Sequence, residues 1–148
     1  MSIRSLLLKA LAAVALVFAV ATPAAAAPPA GMIQINYHRV DGNYDSWGTH
    51  LWKSPNMPVE GVEWPTPMPP SGKNAFGVYW VRSEDEFSNK AKTKMTVNYI
   101  IHKGDIKEQG GKDMAFDGLA HKEIWVYEGD RTIYFSLDEV KAAHSDIK

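Results

Sequence analysis

The stretch Tyr37-His38-Arg39-Val40-Asp41-Gly42-Asn43-Tyr44-Asp45-Ser46-Trp47-Gly48-Thr49-His50-Leu51-Trp52 decides how the rest of the chain is read. Upstream of its turn, from Met32, side chains alternate, with Ile33, Ile35 and Tyr37 on one side and Gln34, Asn36 and His38 on the other, the pattern of a half-buried strand. Asp41-Gly42-Asn43 supplies turn residues that tolerate positive φ. Ser46 to Trp52 then reads as a second strand, with Trp47, Thr49 and Leu51 on one face and Gly48, His50 and Trp52 on the other. The pair is expected to form a hairpin that commits Trp47 to a core and leaves His50 and Trp52 as an aromatic platform.

Downstream, Lys53 to Asn74 carries six prolines (Pro55, Pro58, Pro65, Pro67, Pro69 and Pro70) around Trp64. Proline cannot donate to a sheet ladder, so this reads as an extended surface connector with an edge segment near Val59 to Trp64. Ala75 to Arg82 is rich in branched and aromatic residues and reads as a third strand. Ser83 to Lys94 is polar and reads as a solvated loop. Met95 to His102 alternates again, Met95, Val97, Tyr99 and Ile101 against Thr96, Asn98, Ile100 and His102, and predicts a fourth strand. Gly104, Gly110 and Gly111 break the pattern over Lys103 to Lys112, and Asp113 to Phe116 reads as a brief strand. Lys122 to Glu128 and Arg131 to Phe135, joined at Gly129-Asp130, predict a terminal hairpin. Ser136-Leu137-Asp138-Glu139 fits a capping box opening a short helix through Ala143, followed by a polar, frayed tail. Short strands with no helical crossover between them point to an all-β, antiparallel sandwich.

The beginning of the chain has a different composition. Arg4 and Lys9 precede or open an uninterrupted apolar run of 12 residues, Ala10 to Ala21, followed by Thr22-Pro23 and the alanines at 24–27. That is the layout of a secretory signal peptide over residues 1–26, with cleavage before Ala27. The run is shorter than the roughly 20 residues of a membrane-spanning helix. The expected division is therefore a signal peptide (1–26), a sandwich (27–136) and a tail or short helix (137–148), with an exported product in the periplasm or the medium and no membrane attachment after cleavage.

Without Arg4 and Lys9, 14 basic residues remain against 17 acidic ones, a net charge of −3. The lysines are interleaved with acids, which disfavours nucleic acid as a partner. The absence of cysteine excludes disulfides, thiolate metal sites and a cysteine nucleophile. No Gly-x-Ser-x-Gly elbow or phosphate loop is present, and the spacing of His38, His50, His102, His121 and His144 resembles no zinc site. Neither a metal nor a cofactor is expected. Asp105, Glu108 and Asp113 are the nearest candidates for a hydrolytic carboxylate pair, but they read as solvated loop acids.

The aromatics carry the chemistry instead. A pyranose ring offers a flat patch of C–H bonds and an edge of hydroxyls, so its site pairs an aromatic platform with charged hydrogen-bonding groups. Trp52 and His50 fit the platform, and Lys107 and Asp113, on the loop after the fourth strand, fit the rim.

Several stretches together resemble the bacterial pullulanase-associated domain, carbohydrate-binding module family 41. These are Tyr37-His38-Arg39 with Asp41-Gly42, Tyr44 through Trp52, Trp64-Pro65-Thr66-Pro67, Phe76-Gly77-Val78-Tyr79, Asn98 through Lys107, Glu123-Ile124-Trp125-Val126 and Ile133-Tyr134. The resemblance implies an immunoglobulin-like sandwich that binds α-glucan oligosaccharides or polysaccharides such as pullulan, starch and glycogen, without cofactor or catalysis. It also implies an aromatic pair at His50 and Trp52, with an imidazole where some members place a second indole, and a sugar-binding lysine and aspartate at Lys107 and Asp113. The spacer from Glu108 to Lys112 is one residue longer than the family's usual spacing. Such modules usually front large pullulanases and amylases, whereas this chain reads as a free-standing domain. A small α-glucan hydrolase is one competing reading. Another is an accessory domain that binds an envelope protein or a separate glycoside hydrolase.

Overall fold

The computed structural model describes residues 27–148, so the expected signal peptide lies outside the described residues. Nine strands occur in the order β1 (Met32–His38), β2 (Gly48–Lys53), β3 (Met57–Pro58), β4 (Gly72–Lys73), β5 (Val78–Ser83), β6 (Thr96–Lys103), β7 (Ile106–Lys107), β8 (Met114–Asp117) and β9 (Glu123–Tyr127), followed by helix α1 (Leu137–Ala143). They form two sheets. The first runs β4-β5-β1-β9; the second runs β3-β2-β6-β7, with β8 sharing the β7 side of β6.

Alternation in each strand builds the core between them. Ile33, Ile35 and Tyr37 of β1, Trp80 of β5 and Ile124 and Val126 of β9 meet Trp47, Leu51, Val97, Tyr99 and Ile101 from the second sheet. Burial of this apolar area, at roughly 25 cal/mol per Å², is the main force holding a cysteine-free domain together. The all-β sandwich matches the expectation, but its connections differ from it in four places.

First, β1 and β2 do not form a hairpin: β1 pairs with β5 and β9, and β2 pairs with β3 and β6. The Asp41-Gly42 turn carries the chain from one sheet to the other. Second, β1 and β9 run parallel, so the sandwich is not purely antiparallel. Alternation specifies which face is buried and leaves the direction of the partner open. Third, the terminal hairpin shrinks to one bridge between Trp125 and Tyr134. Asp130 takes over the turn, accepting hydrogen bonds from Thr132 N at 2.8 Å and Tyr134 Oη at 2.6 Å. Those bonds hold its carboxyl far below the usual carboxylate range, against the opposing effect of burial.

Fourth, the tail is tied down. Ser136 caps α1 by accepting from Glu139 N at 3.1 Å, as a capping box requires. Val140 then packs on Trp125 and Phe76 of the outer face of the first sheet. His144 stacks on Tyr127 with ring centroids 3.6 Å apart, and Asp146 accepts from Tyr127 Oη at 2.9 Å. The β9 end of the outer face of the first sheet is thereby covered, while a groove lined by Gln34, Tyr79 and Val81 stays open on the rest of it; no helix packs on the outer face of the second sheet among the described residues.

Candidate functional site

His50 and Trp52 of β2 project from the outer face of the second sheet, opposite the core side chains Leu51 and Trp47. Their ring centroids lie 5.7 Å apart and their planes are tilted by 32°. In register with them on β6 are Ile100, across from His50, and Asn98, across from Trp52. Ile100 is almost fully buried and forms an apolar floor.

Trp64 forms the far wall. The proline-rich segment, expected to be a surface connector, is anchored by Val59 and Val62, both buried in the core. Its short edge strand lies at Met57–Pro58, ahead of the expected Val59 to Trp64. So held, Trp64 lies flat on the buried imidazole of His102, centroids 3.8 Å apart and planes within 3°, and edge-on to His50 at 5.5 Å. His102 Nδ1 donates to the carbonyl oxygen of Gly104 at 2.8 Å, which fixes the ring beneath the indole. Trp64 was legible as a resemblance block but not as a site residue. The available signal was an aromatic clamped by Pro65 and Pro67 close downstream of the platform.

The segment carrying the charged residues, expected to be a loop throughout, opens with the two-residue strand β7, which pairs Lys107 with His102, and is pinned from below. Glu108, read as a solvated acid, is buried: it accepts from Tyr37 Oη at 2.5 Å and from Gly129 N at 3.0 Å. Gln109, also buried, accepts from Tyr99 Oη at 2.8 Å. Burial and the adjoining Glu108 carboxylate push the Tyr37 phenol far above its usual range. After these two anchors the chain tightens into a turn at Gln109–Gly111, with positive φ of 72° at Gly110 and 74° at Gly111. A side chain at Gly110 would meet the guanidinium of Arg131, so both conformation and space favour glycine there. Beyond the turn, Asp113 lies at the cleft.

His50, Trp52, Asn56, Trp64, Ile100, Lys107 and Asp113 line one cleft of about 270 Å³. All four residues singled out from sequence are therefore brought together, and Trp64 and Asn56 join them. The Lys107 ammonium sits 5.0 Å from the centroid of the Trp64 ring, a cation–π distance. Burial lowers the pKa of His50, with nearby His102 adding to the effect and Asp113 opposing it, so the imidazole of the platform is neutral at neutral pH.

The bacterial pullanase-associated domain family matches residues 31–135. A stretch of 75 residues, 50% of this chain, is 35% identical to an alpha-amylase of Streptomyces lividans, of which it spans 7%. A solved streptococcal virulence factor described for α-glucan binding aligns with a TM-score of 0.58 at 26% identity, over 76% of this chain and 50% of that one. Family 41 carbohydrate-binding modules from streptococcal virulence factors, described for α-glucan recognition, align at 0.56 and 25% identity, over 72% of this chain and 48% of theirs. The fold also recurs in the Klebsiella pneumoniae pullulanase complexed with maltotriose, with a TM-score of 0.60 at 21% identity, over 84% of this chain and 13% of that one. The chain thus spans about half of the streptococcal chains and a small fraction of the enzymes. With most of its length matched from β1 through the bridge at Tyr134, this chain belongs to the bacterial pullulanase-associated domain family.

Proposed function

We propose that this chain is a non-catalytic, exported module that binds α-glucans, stacking glucosyl rings on Trp52 and His50 and holding their hydroxyls with Lys107 and Asp113. The observation that carries the reading is the convergence of three separated segments, 50–52, 64 and 107–113, on one cleft that joins aromatic walls to a cation and a carboxylate. Stacking covers the apolar C–H patch of the ring, and the charged groups replace the water removed from its hydroxyls. Each such hydrogen bond contributes about 1.5–3 kcal/mol before desolvation is subtracted, so affinity in the micromolar to millimolar range is expected. The tilt between His50 and Trp52 suits an α-linked chain, whose successive rings turn relative to one another.

Glycoside hydrolysis uses a pair of carboxylates across the scissile bond. Asp113 is the one carboxylate among the described residues lining the cleft, and Glu108 is committed to Tyr37 and Gly129. A binding role therefore fits the cleft better than a hydrolytic one. Affinity electrophoresis in gels containing glycogen or pullulan tests it: the wild type is retarded, and Trp52→Ala loses about tenfold or more in affinity, above about 1.4 kcal/mol. Unretarded wild type, or retardation unchanged in Trp52→Ala, sinks the reading.

A further inference from the structure

The aromatic cleft occupies only one end of the outer face of the second sheet. Across β6 and β8, Asn98 pairs with Ala115 and Thr96 with Asp117. Trp52, Asn98 and Ala115 thus form one row across the sheet, and Thr96 and Asp117 form the next, about 7 Å further along. Two grooves meet there. One, of about 360 Å³, is lined by Lys94, Thr96, Ala115, Asp117 and Leu119 among others. The other, of about 340 Å³, shares Lys94 and Thr96 and adds Lys53 and Ser54.

The path between the cleft and these grooves is open. Along β8 the residues of this face are Asp113, Ala115 and Asp117, all exposed, so a methyl group is all that stands between two carboxylates. Asn98 is drawn aside toward β2, donating to the carbonyl of Trp52 at 3.1 Å and to Ser54 Oγ at 3.2 Å. No helix covers this face among the described residues, in contrast to α1 on the first sheet.

We propose that a bound α-glucan continues out of the aromatic cleft, over Ala115, into the grooves that meet at Thr96. This rests on the α-glucan reading of the cleft. The occupant follows from continuity and from chemistry. Lys94 donates, the Thr96 hydroxyl donates and accepts, and Asp117 spends one carboxylate oxygen on Leu119 N at 2.9 Å and keeps the other for a ligand. Leu119 is an exposed apolar side chain beside them, suited to the C–H patch of a sugar ring. The aromatics that line these grooves, Phe116 and Phe87, are buried and offer no exposed ring, so this stretch adds hydrogen bonds to a chain already anchored at Trp52 and does not capture one by itself. The module therefore reads glucan length as well as glucan identity.

The test is calorimetric titration of the full chain with maltotriose and with maltoheptaose. The longer sugar is expected to bind about tenfold more tightly, a gain of about 1.4 kcal/mol. A Lys94→Ala/Thr96→Val double variant and, separately, Ala115→Leu, which narrows the path, are each expected to reduce that ratio severalfold while leaving maltotriose affinity unchanged. Extra binding registers on a longer chain raise its affinity equally in all three proteins, so the comparison between them removes that contribution. Equal ratios in the wild type and both variants overturn the proposal. Failure of the wild type to bind either sugar overturns the underlying α-glucan reading and this extension with it, a result distinct from normal maltotriose binding without a length dependence to lose.

Discussion

Trp64 is the residue whose role changed most between sequence and structure. Alternation selects His50 and Trp52 because both lie on a regular strand, where a period of two separates the core face from the open face. No such rule applies to a segment of six prolines, and the orientation of Trp64 depends on His102, 38 residues away. The stack on a buried imidazole makes Trp64 a rigid wall. Trp64→Ala is expected to weaken glucan binding by about tenfold, or about 1.4 kcal/mol, and to lower stability by about 1 kcal/mol through loss of the stack on His102. Titration followed by tryptophan fluorescence together with a melting curve checks both parts. An unchanged dissociation constant would show that sugar leaves this wall untouched.

At the scale of elements, the long strands were readable from side-chain alternation and the helix from its capping box, whereas the two-residue strands β3, β4 and β7 and the pairing of all the strands were not. The sequence of the Asp41-Gly42 turn is equally compatible with a hairpin and with a crossing between sheets. What selects the crossing is the burial of Trp47 and Leu51 against the opposite sheet. The β7–β8 loop shows the same dependence. Its glycines mark a turn, but its position comes from Glu108 and Gln109, whose partners Tyr37, Tyr99 and Gly129 lie on other elements. Glu108→Ala removes the acceptor for a buried phenol and a backbone amide. It is expected to cost about 2 kcal/mol of stability and also to weaken glucan binding by loosening Lys107 and Asp113. Chemical denaturation and affinity electrophoresis measure the two effects, and a destabilised variant with full affinity would argue against a positioning role.

For the whole molecule, the two outer faces differ: α1 and the tail cover the β9 end of one, and the aromatic cleft lies on the other. Global stability should also carry a mark of the site. The pKa of His50 is lowered on folding, mainly by burial, so at pH values between its folded value and the ordinary imidazole value of about 6.5 the unfolded chain binds more protons than the folded one. Stability therefore falls as pH drops through that window and is unaffected by this group above it. The melting temperature of the wild type should decline over the window more steeply than that of His50→Gln; parallel profiles would contradict the assignment. Local sequence was enough for the all-β class, the core and open faces of the long strands, the capped helix and the shared outward face of His50 and Trp52. Each of these follows from local periodicity or from side-chain chemistry within a few residues. Only the tertiary structure decided the crossing between sheets, the parallel pairing of β1 with β9, the docked tail, and the gathering of Trp64, Lys107 and Asp113 beside the platform. Those depend on contacts between residues distant in sequence, which are selected by the simultaneous packing of a shared core and leave no periodic trace in any one segment.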